Sequence, residues 1–463
     1  MKRIRTNIIT AIILSLAVLV TSCKKWIDPE MNDDPNKPTD VSLNLLLPSI
    51  EAGIGYAVGG DLSYATLMWM QQYSGLGNQP IAFDRYNYTQ SDVDNVWKWA
   101  LYAGVLKDLH TMADKADEEN SPYYGGIARV LTVYMLGTTT DLWGDVPYSD
   151  AFQGNENLKP VYDTQQQIYD TMAVMINEAI ADLTAETSNF VPGSDDLIYG
   201  GDLSLWLKAA YAVKARYALH LSERDATAYQ KALDALSNGI TSNEEDLEFH
   251  FGTPANEENP LYQFLIQRPG DITMCANFVN MLIQDADPRL GQFCDTTGGN
   301  YGAHPGTGDG DCPPSGYYTQ NDSPVPFVSY VELLFIKAES EYKLGIGDPK
   351  VTVKEAVAQS LAKFGIDDPA WTAAFAAKID ALTGEELYAE IMRQKYIALF
   401  NQVETFTDWR RTGYPELEPA AYAATNDGQL PRRYPYPTSE RIYNGDNMPD
   451  GLTLSTRVWW DLY

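Results

Sequence analysis

Residues 127–152 read IARVLTVYMLGTTTDLWGDVPYSDAF. Ile127, Val130, Leu131, Tyr134 and Met135 fall at i, i+3, i+4, i+7 and i+8, the spacing of one buried stripe on a helix. The stretch then changes character. Gly137 is expected to let the backbone turn, and Pro147 forbids helix soon after. Between them Asp141-Leu142-Trp143-Gly144-Asp145-Val146-Pro147-Tyr148 reads as a loop packed back on its helix, with Trp143 as the plug.

The totals set bounds on the rest. With 44% hydrophobic and 12% aromatic residues, the 463-residue chain can build a sizeable core, which excludes disorder throughout. The charge is −30, from 33 basic and 63 acidic residues. Such a surface repels phosphate backbones, so no nucleic-acid partner is expected. The aromatic pool is skewed, with 30 Tyr and 10 Trp against 14 Phe. Tyr and Trp pair a flat apolar face with a polar edge, which suits wet interfaces and sugar rings.

The N-terminus carries Lys2, Arg3 and Arg5, then an apolar run from Ile8 to Val20 that is too short to span a bilayer as a mature helix. It ends in Val20-Thr21-Ser22-Cys23, small residues before a cysteine. This is a lipoprotein signal pattern: residues 1–22 are expected to be removed and Cys23 to take the lipid. Acyl chains contribute about 0.8 kcal/mol per buried methylene, enough for stable anchoring when there are several. Residues 23–40, rich in Asp, Asn and Pro, read as a flexible tether, and 41–463 as a single α-helical binding domain.

Helices are expected over 41–56, interrupted or restarted at Pro48, and over 62–73. A run capped by Asp92 follows, with residues 121–138 as its partner. Further helices fall at 164–183, 204–221, 226–240, 328–344, 353–364 and 385–400. Two of these pairs echo each other. Lys214 precedes Ala232 by 18 residues and Lys337 precedes Ala356 by 19, each within a similar local pattern. That is a helix–turn–helix unit of tetratricopeptide type, with Ala where helices meet and Gly345 and Gly347 in the turn. From Phe249 to Pro326 only 276–284 reads as helix. A loop that long is functional or disordered, and the expected staple Cys294–Cys312 argues against disorder.

The helix ending in WGDVPYS, the hairpin echo, and a C-terminal region with FTDWRRTG (406–413) and RRYPYP (432–437) resemble the SusD/RagB family of Bacteroidetes nutrient-binding lipoproteins. The resemblance runs through nearly all of the mature chain. It implies a mainly α fold with tetratricopeptide-like hairpins wrapped by an irregular layer. It implies an outer-membrane, cell-surface location and delivery of a glycan or other oligomeric nutrient to a SusC-like TonB-dependent transporter. It also makes Trp97 and Trp99 core or near-core. The C-terminal Arg and Tyr residues, with Glu440 and Asn444, are expected to lock the irregular layer to the helices.

No HExxH, GxSxG or Walker-type loop occurs, so no catalytic residue is assigned. Candidate ligand contacts fall in two loop groups where aromatics alternate with hydrogen-bonding side chains: Tyr73, Asn78, Gln79, Asp84, Arg85 and Tyr86; and Tyr301, His304, Tyr317, Tyr318 and Gln320. Aromatic faces would take the apolar side of a sugar and the polar groups its hydroxyls. Asp309 and Asp311 are a candidate calcium pair, and no other cofactor is expected. Two alternatives stand beside glycan capture: a peptide-binding tetratricopeptide-type scaffold, and a helical glycoside hydrolase.

Overall fold

The computed structural model describes residues 41–463 apart from 300 and 426–427. Cys23, the signal segment 1–22 and the tether 23–40 lie outside the described residues. Residues Leu43–Tyr463 form one compact unit. Helices α1 (Leu43–Gly59), α2 (Tyr64–Trp69) and α3 (Asn78–Asp84) come first, and a π-helix (Val96–Val105) then runs into α4 (Leu106–Glu118). Next are α5 (Pro122–Trp143), α6 (Gln165–Leu183), α7 (Leu203–His220) and α8 (Ala228–Leu236). The middle holds α9 (Pro260–Gln267) and α10 (Ala276–Gln284). The last part adds α11 (Tyr330–Leu344), α12 (Pro349–Lys363), α13 (Pro369–Ala381), α14 (Gly384–Ala398), α15 (Glu404–Thr412) and α16 (Thr438–Tyr443). Two small antiparallel ribbons pair β1 (Tyr73–Gly75) with β3 (Ile272–Met274), and β2 (Leu247–Phe249) with β4 (Val325–Val328).

The fold is mainly helical, as expected, and α5 lies at its centre. The five stripe residues are buried, but so is every residue from Tyr124 to Trp143 except Arg129. The helix is therefore enclosed on all sides rather than along one stripe. Nor does it turn at Gly137. Thr138 and Thr139 return their hydroxyls to the carbonyls of Tyr134 and Met135, at 2.9 and 2.7 Å, so the helix stays satisfied through Trp143. It stops at Gly144, whose φ of +84° favours glycine. Gly137 instead makes room. A Cβ there would come under 3.0 Å from the ring of Tyr217 on α7.

Helices α7–α8 and α11–α12 form two hairpins, and α8 packs against α11. Ala215, Ala232, Ala338 and Ala356 are fully buried where these helices meet. Local chemistry sets the ends. Thr164 and Gln167 form a reciprocal capping box on α6, Ser329 caps α11, and Asp348 caps α12 just ahead of Pro349. Gly345 closes α11 in the left-handed conformation, φ +65°. Two details differ from expectation. Helix α1 runs through Pro48, which near its start removes a single internal hydrogen bond. Asp92 accepts from the Thr89 amide and hydroxyl, at 2.7 and 2.6 Å, and so builds the preceding turn.

The C-terminal segments lock onto the helices. Arg411 forms a bidentate pair with Glu339 at 2.6 and 2.8 Å, both fully buried. Arg410 donates to the carbonyls of Asp141 and Arg432 at 2.5 and 2.9 Å. Tyr434 and Tyr436 donate to the carbonyls of Leu62 and Asp145 at 2.8 and 2.6 Å, and Trp143 donates to Pro435 at 2.8 Å. Glu440 accepts from Tyr162, and Asn444 donates to the Pro160 carbonyl. Beneath them, His220 bridges Asp141 (2.9 Å) and Glu404 (2.8 Å). Burial pushes the His220 pKa down, but the two carboxylates overcome it and raise it to about 9. Burial likewise pushes Glu404 up, and His220 and Arg216 overcome it to hold that carboxyl at about 2.

Among the described residues no helix is long and apolar enough to cross a membrane.

Candidate ligand-binding cleft

An open cleft of about 890 Å³ lies between α1, the π-helix and α9. Its position follows from close backbone approaches. Gly53 on α1 faces Val105 at the end of the π-helix, where a Cβ would stand 3.1 Å from the valine side chain. Asn259 caps α9 through the amides of Leu261 and Tyr262, and Pro260 sets its first turn, which fixes Phe264 against Tyr64 with ring centres 5.0 Å apart. Tyr56, Phe83 and Trp99 bring further aromatic surface to the walls.

Trp99 corrects an expectation. Trp97 is core, 2% exposed, whereas Trp99 is 63% exposed. Residues two apart on a helix point to nearly opposite sides, so one stripe cannot bury both. The wide π turn keeps that division, and the Lys98 ammonium lies 4.8 Å from the centre of the Trp99 ring.

The polar lining is rich in acceptors. Asp61, Asp92 and Asp108 face one cation, Arg268, which is steadied by a 3.1 Å bond to Gln79 and by the Phe264 ring. Burial raises the carboxyls of Asp61 and Asp108. Burial also raises the Tyr64 hydroxyl, which stays protonated and donates to the Pro260 carbonyl at 3.3 Å.

Of the eleven candidate contacts, Tyr73 and Gln79 line this cleft. Tyr73 is buried, with its hydroxyl on Asn401 at 3.2 Å. The others divide by exposure. Asp84, Tyr86 and Tyr318 are buried, and Arg85 and Tyr317 are half-buried; Asn78, Tyr301, His304 and Gln320 are exposed. Asp84 accepts from the amides of Gly75 (3.1 Å) and Gly306 (2.8 Å), and Arg85 donates to the Gly306 carbonyl at 2.7 Å. The two loop groups therefore do meet, but Asp84 and Arg85 are the clasp between them. Burial raises Asp84 to about 6. The Tyr86 hydroxyl accepts from the Ala420 amide at 2.9 Å, and Tyr317 and Tyr318 pack on Phe364. Asn78 donates to Asp271 at 2.7 Å.

The expected disulfide partners Cys294 and Cys312 are both buried and lie beside one another. Each shifts the other, Cys294 upward and Cys312 downward. Asp309 and Asp311 are exposed on either side of Gly310. Among the described residues no three His, Cys, Asp or Glu side chains converge, so no third side-chain ligand joins the pair.

Sequence reasoning missed Trp99, Tyr56, Tyr64, Phe83, Phe264 and Arg268. A signal was present for part of this wall. Asn259-Pro260 is a helix start, and the amphipathic octet PLYQFLIQ follows it.

No curated protein matches the sequence. Solved structures do match. A chitin-binding protein is 24% identical at a TM-score of 0.79, over 91% of this chain and 100% of that one. A SusD/RagB family protein from Bacteroides thetaiotaomicron is 24% identical at 0.75, over 91% and 99%. A chitin-binding SusD homolog from Flavobacterium johnsoniae is 21% identical at 0.73, over 91% and 97%. At these identities the likeness establishes the fold. A family model described as starch-binding associating with outer membrane matches residues 35–437, which is most of the sequence, and the chain accordingly belongs to the SusD-like family.

Proposed function

We propose that the chain is a lipid-anchored, surface-exposed binder that captures a glycan in the cleft between α1, the π-helix and α9 and passes it to a SusC-like TonB-dependent transporter. The observation that carries this reading is the cleft itself. It is open, about 890 Å³, with aromatic faces from five separate elements and amide and carboxylate acceptors between them. Sugars need that combination, because ring faces shed water onto aromatics while hydroxyls require hydrogen-bond partners. Two of the structural neighbours are chitin-binding proteins and the family is described as starch-binding, so β- or α-linked glucose-type polymers are the first cargoes to try. Binding without turnover is the expected mode. A lipid on Cys23 would hold the binder at the membrane surface and raise its effective concentration near the pore. The exposed Tyr301, His304 and Gln320 are proposed as a second contact surface for longer chains.

The test is a glycan array followed by calorimetry on the best binder. Trp99→Ala should weaken binding at least five-fold, while Tyr301→Ala should weaken only long oligomers. Unchanged affinity in Trp99→Ala would move the site elsewhere. Appearance of shortened products would replace capture by hydrolysis.

A further inference from the structure

The cleft has a charge balance that a site for acidic sugars would not have. Among the described residues that line it, Asp61, Asp92 and Asp108 are anionic, Arg268 is the one cation, and there is no lysine. The acids are not equivalent. Asp92 is committed to the Thr89 turn. Asp61 and Asp108 make no hydrogen bond or ion pair among the described residues, so both retain acceptor capacity toward a ligand. Charges at the rim were weighed as well. Lys107 lies next to Asp108 and Lys98 sits over Trp99, while Glu257 and Glu258 stand by Tyr56 on the opposite wall, so the rim does not reverse the sign. The half-buried setting of Asp108 strengthens any pairing with a cation relative to open water, whereas Asp61 is exposed.

The Lys98–Trp99 contact adds a second observation. An ammonium already lies 4.8 Å from the centre of the most exposed aromatic ring in the cleft, within the range of a cation–π attraction. The ring therefore receives a cation as well as it receives a sugar face, and the cation present is on a flexible, exposed side chain that a ligand amine can displace.

We infer that the cleft prefers glycans bearing free, protonated amino groups, of the glucosamine type, over the same chains when N-acylated and over chains of uronic acids. This rests on the reading of the cleft as the glycan site. The amine would pair with Asp61 or Asp108 and lie toward Trp99, while the rings of the sugar use the same aromatic walls as a neutral chain.

The experiment compares three oligosaccharides of equal length, a glucosamine hexamer, its fully N-acetylated form and a galacturonate hexamer, by calorimetry with the full chain in detergent. It is run at pH 6, where the amines are protonated, at 50 and 300 mM salt. The expected result is a glucosamine hexamer bound at least three-fold tighter than the N-acetylated one at 50 mM salt. That advantage should shrink at 300 mM as charges are screened, and the galacturonate hexamer should bind weakest. The double variant Asp61→Asn, Asp108→Asn should abolish the advantage, lowering the affinity for the glucosamine hexamer by more than it lowers that for the N-acetylated one. Equal or tighter binding of the N-acetylated hexamer overturns the preference while leaving the cleft as the site. Persistence of the advantage in the double variant overturns it too, since the attraction would then come from the protein's overall negative charge. If no hexamer binds, or Trp99→Ala leaves all three unchanged, the cleft itself fails as the site and the preference with it.

Discussion

Gly137→Ala offers a direct test of how α5 is packed. In an ordinary helix this change stabilises by about 1 kcal/mol, because alanine has less backbone entropy to lose. Here the new methyl would come under 3.0 Å from the ring of Tyr217, which is 6% exposed and cannot swing aside. Its ring packs edge-on against His220 and Tyr169, at 5.0 and 6.1 Å between centres, and its hydroxyl donates to the Tyr134 carbonyl at 2.7 Å. Overpacking of this kind costs about 1–3 kcal/mol. Loss of the hydroxyl bond adds about 1 kcal/mol. Set against the propensity gain, the net destabilisation is about 2 kcal/mol. Urea unfolding followed by far-ultraviolet circular dichroism should show an earlier midpoint at unchanged slope. The attribution is then checked by a double-mutant cycle. In a Tyr217→Ala background the clashing ring is gone, so Gly137→Ala should become neutral or stabilising, a coupling of about 2 kcal/mol. A later midpoint for Gly137→Ala alone, or an identical cost in both backgrounds, would refute the packing argument.

Other outcomes follow from the buried charges and thiols. The His220 pKa is raised to about 9 against an ordinary 6.5, so its contribution is complete below about 6.5 and is lost as pH rises through 9. Glu404 is lowered to about 2 against an ordinary 4.5, so its share is present above about 4.5 and is lost as pH falls through 2. Unfolding temperature measured from pH 3 to 9.5 should therefore be highest near 4.5–6.5 as far as this pair decides it, and His220→Gln should flatten the alkaline limb; an alkaline limb unchanged in the variant would show that other groups carry it. Arg411→Met should cost about 3–5 kcal/mol in urea, since it strands the fully buried Glu339 without its bidentate partner, and a cost under 1 kcal/mol would contradict that account. Oxidised glutathione should convert Cys294 and Cys312 to a disulfide, taking two hydrogens from the protein and releasing two reduced glutathiones. Intact mass should fall by about two daltons, and closing that loop should add about 3 kcal/mol. A mixed disulfide that persists, or pairing through Cys275, would count against the adjacency of the two thiols.

Much of this fold was legible in the sequence because its information is local. Helix α6 was readable from Thr164 and Gln167, whose side chains satisfy the end amides of their own helix, and the α11–α12 turn from Gly345, which only has to reach a left-handed φ. The hairpin echo was legible for the same reason, since small residues mark close crossings wherever they fall. Gly137 shows the limit. A glycine that opens a turn and a glycine that admits a neighbour's ring look alike in sequence, and only the position of Tyr217, 80 residues on, separates them. Trp97 and Trp99 show it again, since alternation on a helix says that one of them is outward but not which.

The cleft was the least legible part, for a related reason. Its aromatic side chains come from α1, α2, α3, the π-helix and α9, and they converge because Gly53 lets α1 approach Val105 and the Asn259 cap turns α9 toward Tyr64. A buried clasp such as Asp84, by contrast, looked like a ligand contact because it sits in a polar loop beside aromatics, when its Oδ2 is used by two backbone amides of the protein itself and its Oδ1 is buried away from solvent. Polar side chains in loops first serve orphaned backbone groups, as buried amides must be paired. Binding capacity is what is left after that demand is met. Only groups a ligand can reach count toward it: Trp99, Asp61 and Asp108 line the open cleft whereas Asp84 and Tyr86 are buried, so substitutions in the first set should alter affinity at constant stability and those in the second should do the reverse. Paired measurements on Asp61→Asn and Asp84→Asn, one reading oligosaccharide affinity and the other urea midpoint, would expose an error if both readouts moved together.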